Sequence, residues 1–552
     1  MAALSQSLSW KLAGMFRLMG PIVDKELRVS SRRKTSYLLR GGYCLLLGLY
    51  VVSMWYFAMR GAASQTSVVA MSRMGRIGIR TSVAIVHFQF VATQLVAVLL
   101  LCTAIRDEIR KGTLNVLMTT PIKSAQIVIG KLSSGLLQLL VLLATSLPLL
   151  AVIRVFGGVP WHYVVSGLCM TLTAAVLTGS LALLLSIVCR KAHSVVLTVL
   201  FVYLFAFGAL PALLHVIAQT GFFDKAAVET VVFLTNPFVA LYSGSRQLVS
   251  AVGPSTGGTL WWLHCLTVLS FACIVLLISM FKVRRVAFAG ASGGAGSKSR
   301  KKRHRVRPIT TSPIIWREAS KGTFGAGRSE TALFWLLVVS SVVIVLCVVL
   351  SAGMSGLSIG MMLLSAFQLA IMIRLALAAA AAVAGEKEAR TLPILLATPL
   401  SDGRIIRDKS IAVLRRNIFL LALSIVLYGI LLLTAGATFL HLLLALAMML
   451  IRFLGSIVFV VGSGIYFSAR MRTTTSAVAA TIGLYLVVTY LILGVLQRLV
   501  FVIVLPLLGG GRPGPWFQLI FLLTALGSAA LCAGSGVILG YRAVGRLREN
   551  LF

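Results

Sequence analysis

Repeated long runs of apolar residues are the feature of this 552-residue sequence that most restricts its fold. Lipid offers an exposed backbone no hydrogen-bonding partner, so a run of roughly 20 apolar residues crosses a bilayer as a helix. Hydrophobic residues make up 59% of the chain and charged ones 12%, whereas soluble domains carry about 25% charged residues. The sequence therefore predicts an all-α polytopic membrane protein with two tandem six-helix bundles. The twelve predicted spans lie near 37–58, 82–105, 126–153, 163–188, 194–219, 260–281, 332–352, 359–384, 412–434, 438–467, 475–504 and 516–540.

Basic residues outnumber acidic ones by 51 to 13. In a soluble protein this excess suggests nucleic acid, but membrane proteins concentrate Lys and Arg in their cytoplasmic loops. If the N-terminus is cytoplasmic, alternation of twelve spans puts about 40 of these residues on the cytoplasmic side. One predicted outer loop disagrees, since it carries Arg60, Arg73, Arg76 and Arg80. We therefore expect a multi-pass protein with cytoplasmic N- and C-termini and no nucleic-acid partner.

A flexible, basic segment separates the two predicted halves. It reads GASGGAGSKSRKKRHRVRP over residues 290–308, where Gly and Ser favour flexibility and a basic cluster follows. Attraction to anionic lipid headgroups is the predicted role of the cluster, and docking of an acidic partner or nucleic acid is the alternative. The predicted organisation is a first half over 1–289, a linker over 290–311 and a second half over 312–552.

The halves share polar landmarks in the same order. EIRKGTLNVLMTTP (108–121) recurs as EKEARTLPILLATP (386–399), 278 positions later. GPIVDKE (20–26) precedes the first span as SPIIWRE (312–318) precedes the seventh, and Lys131 and Lys409 follow the two copies at equal distance. Apolar segments resemble each other by chance, but ordered polar landmarks do so rarely. The sequence therefore indicates an internal repeat.

Each copy of this polar sequence predicts a short helix between the second and third spans of its half. Thr113 and Thr391 are candidate N-caps, and Pro393 is tolerated in a first helical turn. Apolar residues then recur at helical spacing, and a proline stops the element. A turn helix that merely connects two spans is the alternative. The apolar positions are Leu114, Leu117 and Met118 in the first copy and Leu392, Leu395 and Leu396 in the second.

These landmarks together resemble type-2 ABC exporter permeases. The similarity comprises the Glu, the Gly-Thr-Leu, the closing Thr-Pro with its following Ile and Lys, a Pro-x-x-x-x-Glu before the first span, and Leu-Pro at 147–148. In that family an interfacial helix precedes span one, and a coupling helix between spans two and three docks on an ATPase subunit. The implied coupling residues are Glu108, Gly112, Thr113, Leu114, Leu117, Thr120 and Pro121, then Glu386, Thr391, Leu392, Leu395, Thr398 and Pro399. Arg390 stands where the first copy has Gly112, which leaves equal coupling by both halves open.

The resemblance implies partners that this chain does not contain. No phosphate-binding loop of the GxxxxGK[ST] type occurs in the sequence, so ATP would be hydrolysed by two copies of a separate, soluble ABC ATPase subunit. We expect no enzymatic activity, catalytic residue, metal site or cofactor in the chain itself. The implied setting is a prokaryotic cytoplasmic (inner) membrane. A non-transporting scaffold or signalling partner of an ATPase is an alternative function.

A secondary transporter is a further alternative, but such proteins need ionisable groups inside the membrane, and no carboxylate falls mid-span. Two cations do: Arg374 and Arg452 lie well inside predicted spans eight and ten. Mid-membrane charges are costly unless they face a partner or a wet cavity. They predict either a cavity for an anionic or amphiphilic substrate, or pairing with backbone carbonyls. The sequence does not identify the substrate.

Overall fold

The computed structural model describes residues 34–60, 67–110, 113, 124–157, 159–189, 192–219, 224–250, 260–291, 312–319, 339–340, 343, 354–434, 439–494 and 515–548. Regular structure in these ranges is helical, and they contain no strand. The all-α prediction is therefore confirmed.

Ten helices are described in the first half of the chain. The sixth continues through a π-helical turn at Leu204–Ala209 into the seventh. In chain order they are α1 Lys34–Arg60, α2 Ser67–Leu101, α3 Arg106–Arg110, α4 Ser124–Gly157, α5 Trp161–Val188, α6 Ala192–Tyr203, α7 Leu210–Gln219, α8 Lys225–Thr235, α9 Pro237–Ser250 and α10 Trp261–Ala291.

The second half adds seven helices within the described ranges. They are α11 Pro313–Ala319, α12 Met354–Glu388, α13 Leu392–Leu396, α14 Asp402–Thr434, α15 Phe439–Arg470, α16 Thr474–Leu486 with a π-helical continuation over Val487–Ile492, and α17 Pro515–Arg546. α4 and α14, each of which follows a copy of the polar sequence, begin at Ser124 and Asp402 and so preserve its offset of 278 positions.

Nine helices in the described part of the chain are long and apolar enough to cross a membrane. They comprise Ile77–Leu101, Ser124–Arg154, Trp161–Val188, Thr198–His215, Trp261–Val286, Leu363–Glu388, Asp402–Leu433, Leu443–Arg470 and Leu522–Arg546. Two shorter apolar helices, Tyr37–Ser53 and Thr474–Thr489, coincide with the first and eleventh predicted spans. The seventh predicted span, 332–352, lies almost wholly outside the described residues. The protein is thus a multi-pass membrane protein, and twelve spans stays a prediction.

A sharply bent helix pair occupies a segment that the sequence assigned to an outer loop. α8 and α9 together pass the same test of length and hydropathy, but they meet at 107°. Asn236 lies at the bend, where its Oδ1 accepts from the backbone N–H of Phe238 at 3.0 Å and thereby caps α9. Thr267 of α10 donates to the carbonyl of Leu234 at 2.6 Å and so satisfies the end of α8. The pair forms a broken span or a re-entrant element.

The chain divides into two compact units. Described residues up to Val199 and from Ala226 to Ala291 belong to the first, whereas Leu200–Lys225 and the residues from Ser312 onward belong to the second. The predicted linker at 290–311 lies outside the described residues apart from its first two positions. The proposed division at 289 and 312 therefore stays a prediction.

In the first unit, buried amide side chains join α2 to α4 and α5. The Oε1 atom of Gln89 accepts from the hydroxyl of Ser146 at 2.7 Å. Gln94 donates to the carbonyl of Thr171 at 3.3 Å and accepts from Thr178. Hydrogen bonds of this kind help to hold membrane helices together, because the hydrophobic effect does not drive helix association within lipid. They fix α2 against α4, which carries Lys131 near its start.

In the second unit, small residues let α15 and α17 approach closely. A Cβ atom added at Gly455 would lie 2.7 Å from the carbonyl oxygen of Ala529, and one at Gly462 would overlap the carbonyl oxygen of Gly536. Gly455 and Gly462 are seven residues apart on one helix, as are Ala529 and Gly536 on the other. This spacing returns after two helical turns and produces one continuous seam.

Candidate functional site

A buried ion pair closes the end of α12 against α14 in the second unit. The ammonium nitrogen of Lys409 lies 2.9 Å from Oε1 of Glu386, with side-chain exposures of 2% and 11%. Lys409 also donates to the carbonyl of Ala382 at 2.7 Å. Because both charges are largely removed from water, each depends on the other for compensation.

The first unit contains the equivalent pair. The ammonium nitrogen of Lys131 lies 3.1 Å from Oε1 of Glu108, with side-chain exposures of 10% and 22%. Each lysine follows its glutamate by 23 positions. Both glutamates were predicted as site residues and both lysines as landmarks, but their pairing was not predicted. The two pairs differ in burial: the pair of Lys409 with Glu386 is less accessible to water than the pair of Lys131 with Glu108.

In each copy the threonine forms a hydrogen bond with the glutamate of its own copy. Thr113 donates to the carbonyl of Glu108 at 3.2 Å and also contacts its carboxylate. Thr391 donates to the carbonyl of Glu386 at 3.4 Å. Thr391 does occupy the N-cap position of α13, but its side chain makes no capping bond. The predicted capping role of Thr391 is therefore wrong, because its hydroxyl points to the preceding helix.

Consecutive residues at the end of α12 contact different helices. While Glu386 pairs with α14, Lys387 donates to the carbonyl of Ala469 at the end of α15. Oε1 of Glu388 accepts from the backbone N–H of Thr474 at 2.8 Å and from its hydroxyl at 3.0 Å, which satisfies the start of α16. This triplet therefore anchors the chain just before α13 on three sides.

The short helix α11 is tied to the same place. Arg317 donates to Oε1 of Glu386 at 3.4 Å, and Ser312 donates to Oδ2 of Asp408 at 2.5 Å. The sequence identified SPIIWRE (312–318) as a landmark before the seventh span, but it did not predict these contacts. The landmark is thus a tether that joins α11 to α12 and α14.

The chain leaves α12 through a left-handed residue. Arg390 has φ of 56°, a region that residues with a Cβ rarely adopt. The N–H of Thr391 bonds to the carbonyl of Glu386 at 2.9 Å, and the N–H of Arg390 bonds to that of Lys387 at 3.1 Å. This pattern is a Schellman motif, in which glycine normally takes the left-handed position. The substitution noted in the sequence, Arg390 for the Gly112 of the first copy, therefore falls at the one position that favours glycine.

We expect Arg390→Gly to raise the free energy of unfolding by about 0.5 to 1 kcal/mol. Relief of the left-handed conformation contributes roughly 1–2 kcal/mol, which the greater freedom of glycine in the unfolded chain offsets in part. Denaturant titration of the purified full-length chain in mild detergent measures the change. Arg390→Ala is the control, since it removes the guanidinium but retains a Cβ. Equal stabilisation by both variants would show that side-chain removal, not backbone relief, is responsible.

α13 presents the large apolar side chain of Ile394 outward. Ile394 is 70% exposed, whereas Leu392 is 1% exposed and packs inward. Leu395 is half-buried, and Thr398 and Pro399 are exposed. Pro393 lies in the first turn, as predicted. Ile394 is therefore the large apolar side chain of α13 that is most accessible to a partner. The apolar positions predicted from the sequence did not include it.

The corresponding loop of the first copy lies largely outside the described residues. Those positions include Gly112, Leu114, Leu117, Thr120 and Pro121. Their assignment to a coupling element stays a prediction from the resemblance.

The predicted mid-span arginines have polar surroundings of their own. Arg374 is 6% exposed, and its Nε donates to Oδ1 of Asn417 on α14 at 2.8 Å. Asn417 in turn donates to the carbonyl of Val413 at 2.8 Å. Arg452 is half-buried and interacts electrostatically with Tyr428 and Cys532. Arg374 therefore has a hydrogen-bonding partner within the protein, and its predicted role in a substrate cavity stays a prediction.

The long apolar helices define a polytopic membrane protein, in which a short anchored helix lies between α12 and α14. A family model described as ABC-2 family transporter protein matches residues 21–350. That match spans more than half of the chain, so the protein belongs to the ABC-2 transporter family and is a transmembrane subunit of an ABC transporter. Permeases of this family generally pair with an ATPase subunit. Comparison with the curated proteins gives no match.

Proposed function

We propose that this chain is the membrane subunit of an ATP-driven exporter and that a separate ATPase docks on α13. The supporting observation is the exposed Ile394 on a helix whose preceding residues are fixed to α14, α15 and α16. An apolar anchor on a rigid support suits docking into a pocket. A movement of α13 would be transmitted directly to α14, α15 and α16. Coupling requires such transmission if the closure of the ATPase subunits on ATP is to move the membrane helices.

The same proposal includes a second ATPase on the loop at 111–123 of the first half. Its support is the repetition of the anchoring pair, since Glu108 and Lys131 reproduce the contact of Glu386 with Lys409. One chain would then supply both docking elements of the membrane part. Arg390 stands in the second element where the first has Gly112, so the two docking sites need not be equally strong.

Charge supports placing this face on the cytoplasmic side of the membrane, which we propose is a prokaryotic inner membrane. α12, α15 and α17 each carry a basic residue in the last turn, namely Lys387, Arg470 and Arg546. Their ends lie together, because Lys387 contacts the end of α15 and Arg548 binds Asp402 at the start of α14 at 2.7 Å. That ion pair also raises the pKa of the Arg548 guanidinium. Positive charge at one face indicates the cytoplasmic side.

Ile394→Asp is the test of docking. The full-length chain is affinity-purified from native membranes, and the ATPase that is recovered with it is measured. We expect Ile394→Asp to reduce binding of the ATPase at α13 at least tenfold, because a buried, unpaired carboxylate costs several kcal/mol. With two sites, the recovered ratio falls from about two ATPase subunits per chain towards one, as read by quantitative mass spectrometry. Leu392→Asp is unsuitable, since Leu392 is part of the fold.

Val231→Asp on α8 is the matched control, because Val231 is also exposed, at 52%. It introduces the same charge on a different helix, and we expect it to leave ATPase recovery unchanged. Recovery of no ATPase with the unmodified chain, or unaltered recovery with Ile394→Asp, contradicts the docking proposal. ATPase binding without ATP-driven transport in vesicles would favour the scaffold function instead.

A further inference from the structure

Three buried polar side chains meet inside the first unit, one each from α1, α2 and α4. Tyr43 is 5% exposed, and Gln89 and Ser146 are fully buried. The Ser146 hydroxyl donates to Oε1 of Gln89 at 2.7 Å. The Tyr43 hydroxyl also interacts with the Ser146 hydroxyl, although it forms no hydrogen bond within the usual limits of distance and angle. Ser146 is thus the point where the other two side chains come together.

Two of these side chains each have a polar atom without a hydrogen-bond partner in the described part of the chain. The two atoms are the hydroxyl of Tyr43 and Nε2 of Gln89. Turning the Gln89 amide over would exchange its nitrogen and oxygen, so one of the two stays without a partner in either orientation. A buried polar group that makes no hydrogen bond lowers stability. Both atoms therefore indicate a partner that is not one of the neighbouring side chains.

The surroundings restrict what this partner can be. Tyr43 belongs to a buried apolar cluster that includes Phe90 and Leu142, and its ring centroid lies 5.9 Å from that of Phe88. Lipid chains outside the cluster offer no hydrogen-bonding group. The partner must therefore be small enough to fit between packed helices and able to donate and accept hydrogen bonds. Water meets both conditions, and internal waters typically make about three hydrogen bonds to buried polar groups.

The spacing of the polar groups also suits a bridging molecule. The Tyr43 and Ser146 hydroxyls interact without a direct hydrogen bond, and a polar contact that is too long for a direct bond is often completed by water. The Ser146 hydroxyl has one hydrogen, which it donates, so its oxygen can still accept. One water molecule among the three side chains would give each of them a further hydrogen bond.

The second unit shows that the fold does not require a polar side chain at this place. At the same offset of 278 positions, Phe367 of α12 stands where α2 has Gln89, and it is fully buried. Ser424 of α14 corresponds to Ser146, and its hydroxyl donates to the carbonyl of Leu421 in its own helix at 2.8 Å. The polar cluster is therefore a feature of the first unit.

We propose that Tyr43, Gln89 and Ser146 bind an internal water molecule that joins α1 to α2 and α4. The water accepts from Nε2 of Gln89 and from the Tyr43 hydroxyl, and it donates to Oγ of Ser146. A bridge of this kind is nearly as favourable in enthalpy as a direct hydrogen bond, so it ties α1 to the two helices behind it. The site requires neither the ATPase nor a substrate, so its failure and the failure of ATPase docking are separate results.

X-ray footprinting of the full-length chain in nanodiscs tests for the water. A short X-ray pulse generates hydroxyl radicals from water, internal water included, and mass spectrometry then measures the hydroxylation of each tyrosine. Tyr163 is the matched reference, because it is 4% exposed and its hydroxyl bonds directly to that of Ser245 at 2.8 Å. We expect Tyr43 to be hydroxylated about tenfold faster than Tyr163, since an internal water lies against Tyr43. Equal rates in the unmodified chain overturn the proposal.

Gln89→Leu removes one hydrogen bond to the water. We expect it to slow the hydroxylation of Tyr43 about fivefold, the effect of one lost hydrogen bond on occupancy, without changing that of Tyr163. Thr93→Val is the matched control, because Thr93 is equally buried on α2 but donates to the carbonyl of Gln89 within that helix at 2.6 Å. An equal decrease in both variants overturns the proposal.

Tyr43→Phe gives a second measurement, in which the direction of the change is the result. If a water bonds to the Tyr43 hydroxyl, removal of that hydroxyl lowers the melting temperature of the purified chain by about 2 °C. If the hydroxyl has no partner, its removal leaves the melting temperature unchanged or raises it, because an unpaired buried polar group is lost. An unchanged or raised melting temperature therefore contradicts the proposal.

Discussion

Replacing Lys409 by methionine is expected to lower the free energy of unfolding by about 3 kcal/mol. Methionine preserves most of the side-chain volume, so the main change is loss of the charge. Glu386 would then remain 11% exposed, with the half-exposed Arg317 at 3.4 Å as the remaining cation of the contact. The carbonyl of Ala382 would also lose its donor. Denaturant titration of the full-length chain in detergent micelles, followed by tryptophan fluorescence, measures the loss.

The first unit provides the matched control. Lys131→Met breaks the equivalent pair, but Glu108 is 22% exposed and regains water more easily, so we expect a loss of about 1 kcal/mol. A double-mutant cycle with Glu386→Gln isolates the pair, because the neutral amide no longer needs the ammonium. Equal losses for Lys409→Met and Lys131→Met would refute the argument from burial. A loss for the double variant equal to the sum of the single losses would do so as well.

The polar landmarks were predictable because charged residues are scarce in this chain, and a charge near the membrane is costly unless it is paired or hydrated. Glu108, Glu386 and the two lysines follow in fixed order after apolar spans. All four lie in ion pairs, which join Glu108 of α3 to Lys131 of α4 and Glu386 of α12 to Lys409 of α14. The departure at Arg390 was also visible in the sequence. Its structural meaning was not, since a left-handed φ depends on how α12 ends.

Long-range contacts were beyond sequence reasoning. Glu388 meets Thr474 across 86 positions, and Lys387 meets Ala469 across 82. The sequence around Lys387 and Glu388 does not distinguish them from other charged residues at the end of a helix. The bend between α8 and α9 was missed for a different reason. Asp224 and Glu229 indicated an outer loop, although the segments beside them are apolar and Asn236 caps α9.

Close helix contacts were missed because glycine within an apolar run gives no periodic signal. Gly455 and Gly462 look like ordinary interruptions of a span, and only the packing of α15 on α17 shows that they leave room for a backbone. Gly534 has no atom within 4 Å of its potential Cβ, yet the sequence does not separate it from Gly536. Of these two glycines on α17, only Gly536 lies where a side chain would meet a neighbouring backbone.

Gly462→Ala is expected to lower the free energy of unfolding by about 3 kcal/mol, at the upper end of typical overpacking costs. The added methyl group would overlap the carbonyl oxygen of Gly536 and lie 2.6 Å from its carbonyl carbon. Both atoms belong to the backbone, so no side-chain rotation relieves the clash and α15 must move away from α17. That separation would also open the neighbouring approach of Gly455 to Ala529. Detergent denaturation of the full-length chain measures the loss.

Gly534→Ala on α17 is the matched control, because its added methyl group meets no atom within 4 Å and the stability should change by no more than about 0.5 kcal/mol. The two variants add the same methyl group to the two helices of this pair, one at the contact and one outside it. The difference between them therefore reports the backbone approach alone and excludes a general effect of glycine on helix propensity. If both variants are equally stable, α15 and α17 are not packed through the seam of small residues. If Gly462→Ala is destabilised and Gly536→Ala matches it, both glycines lie at the backbone contact of α15 with α17, since a Cβ atom at Gly536 would lie 2.5 Å from the carbonyl oxygen of Val458.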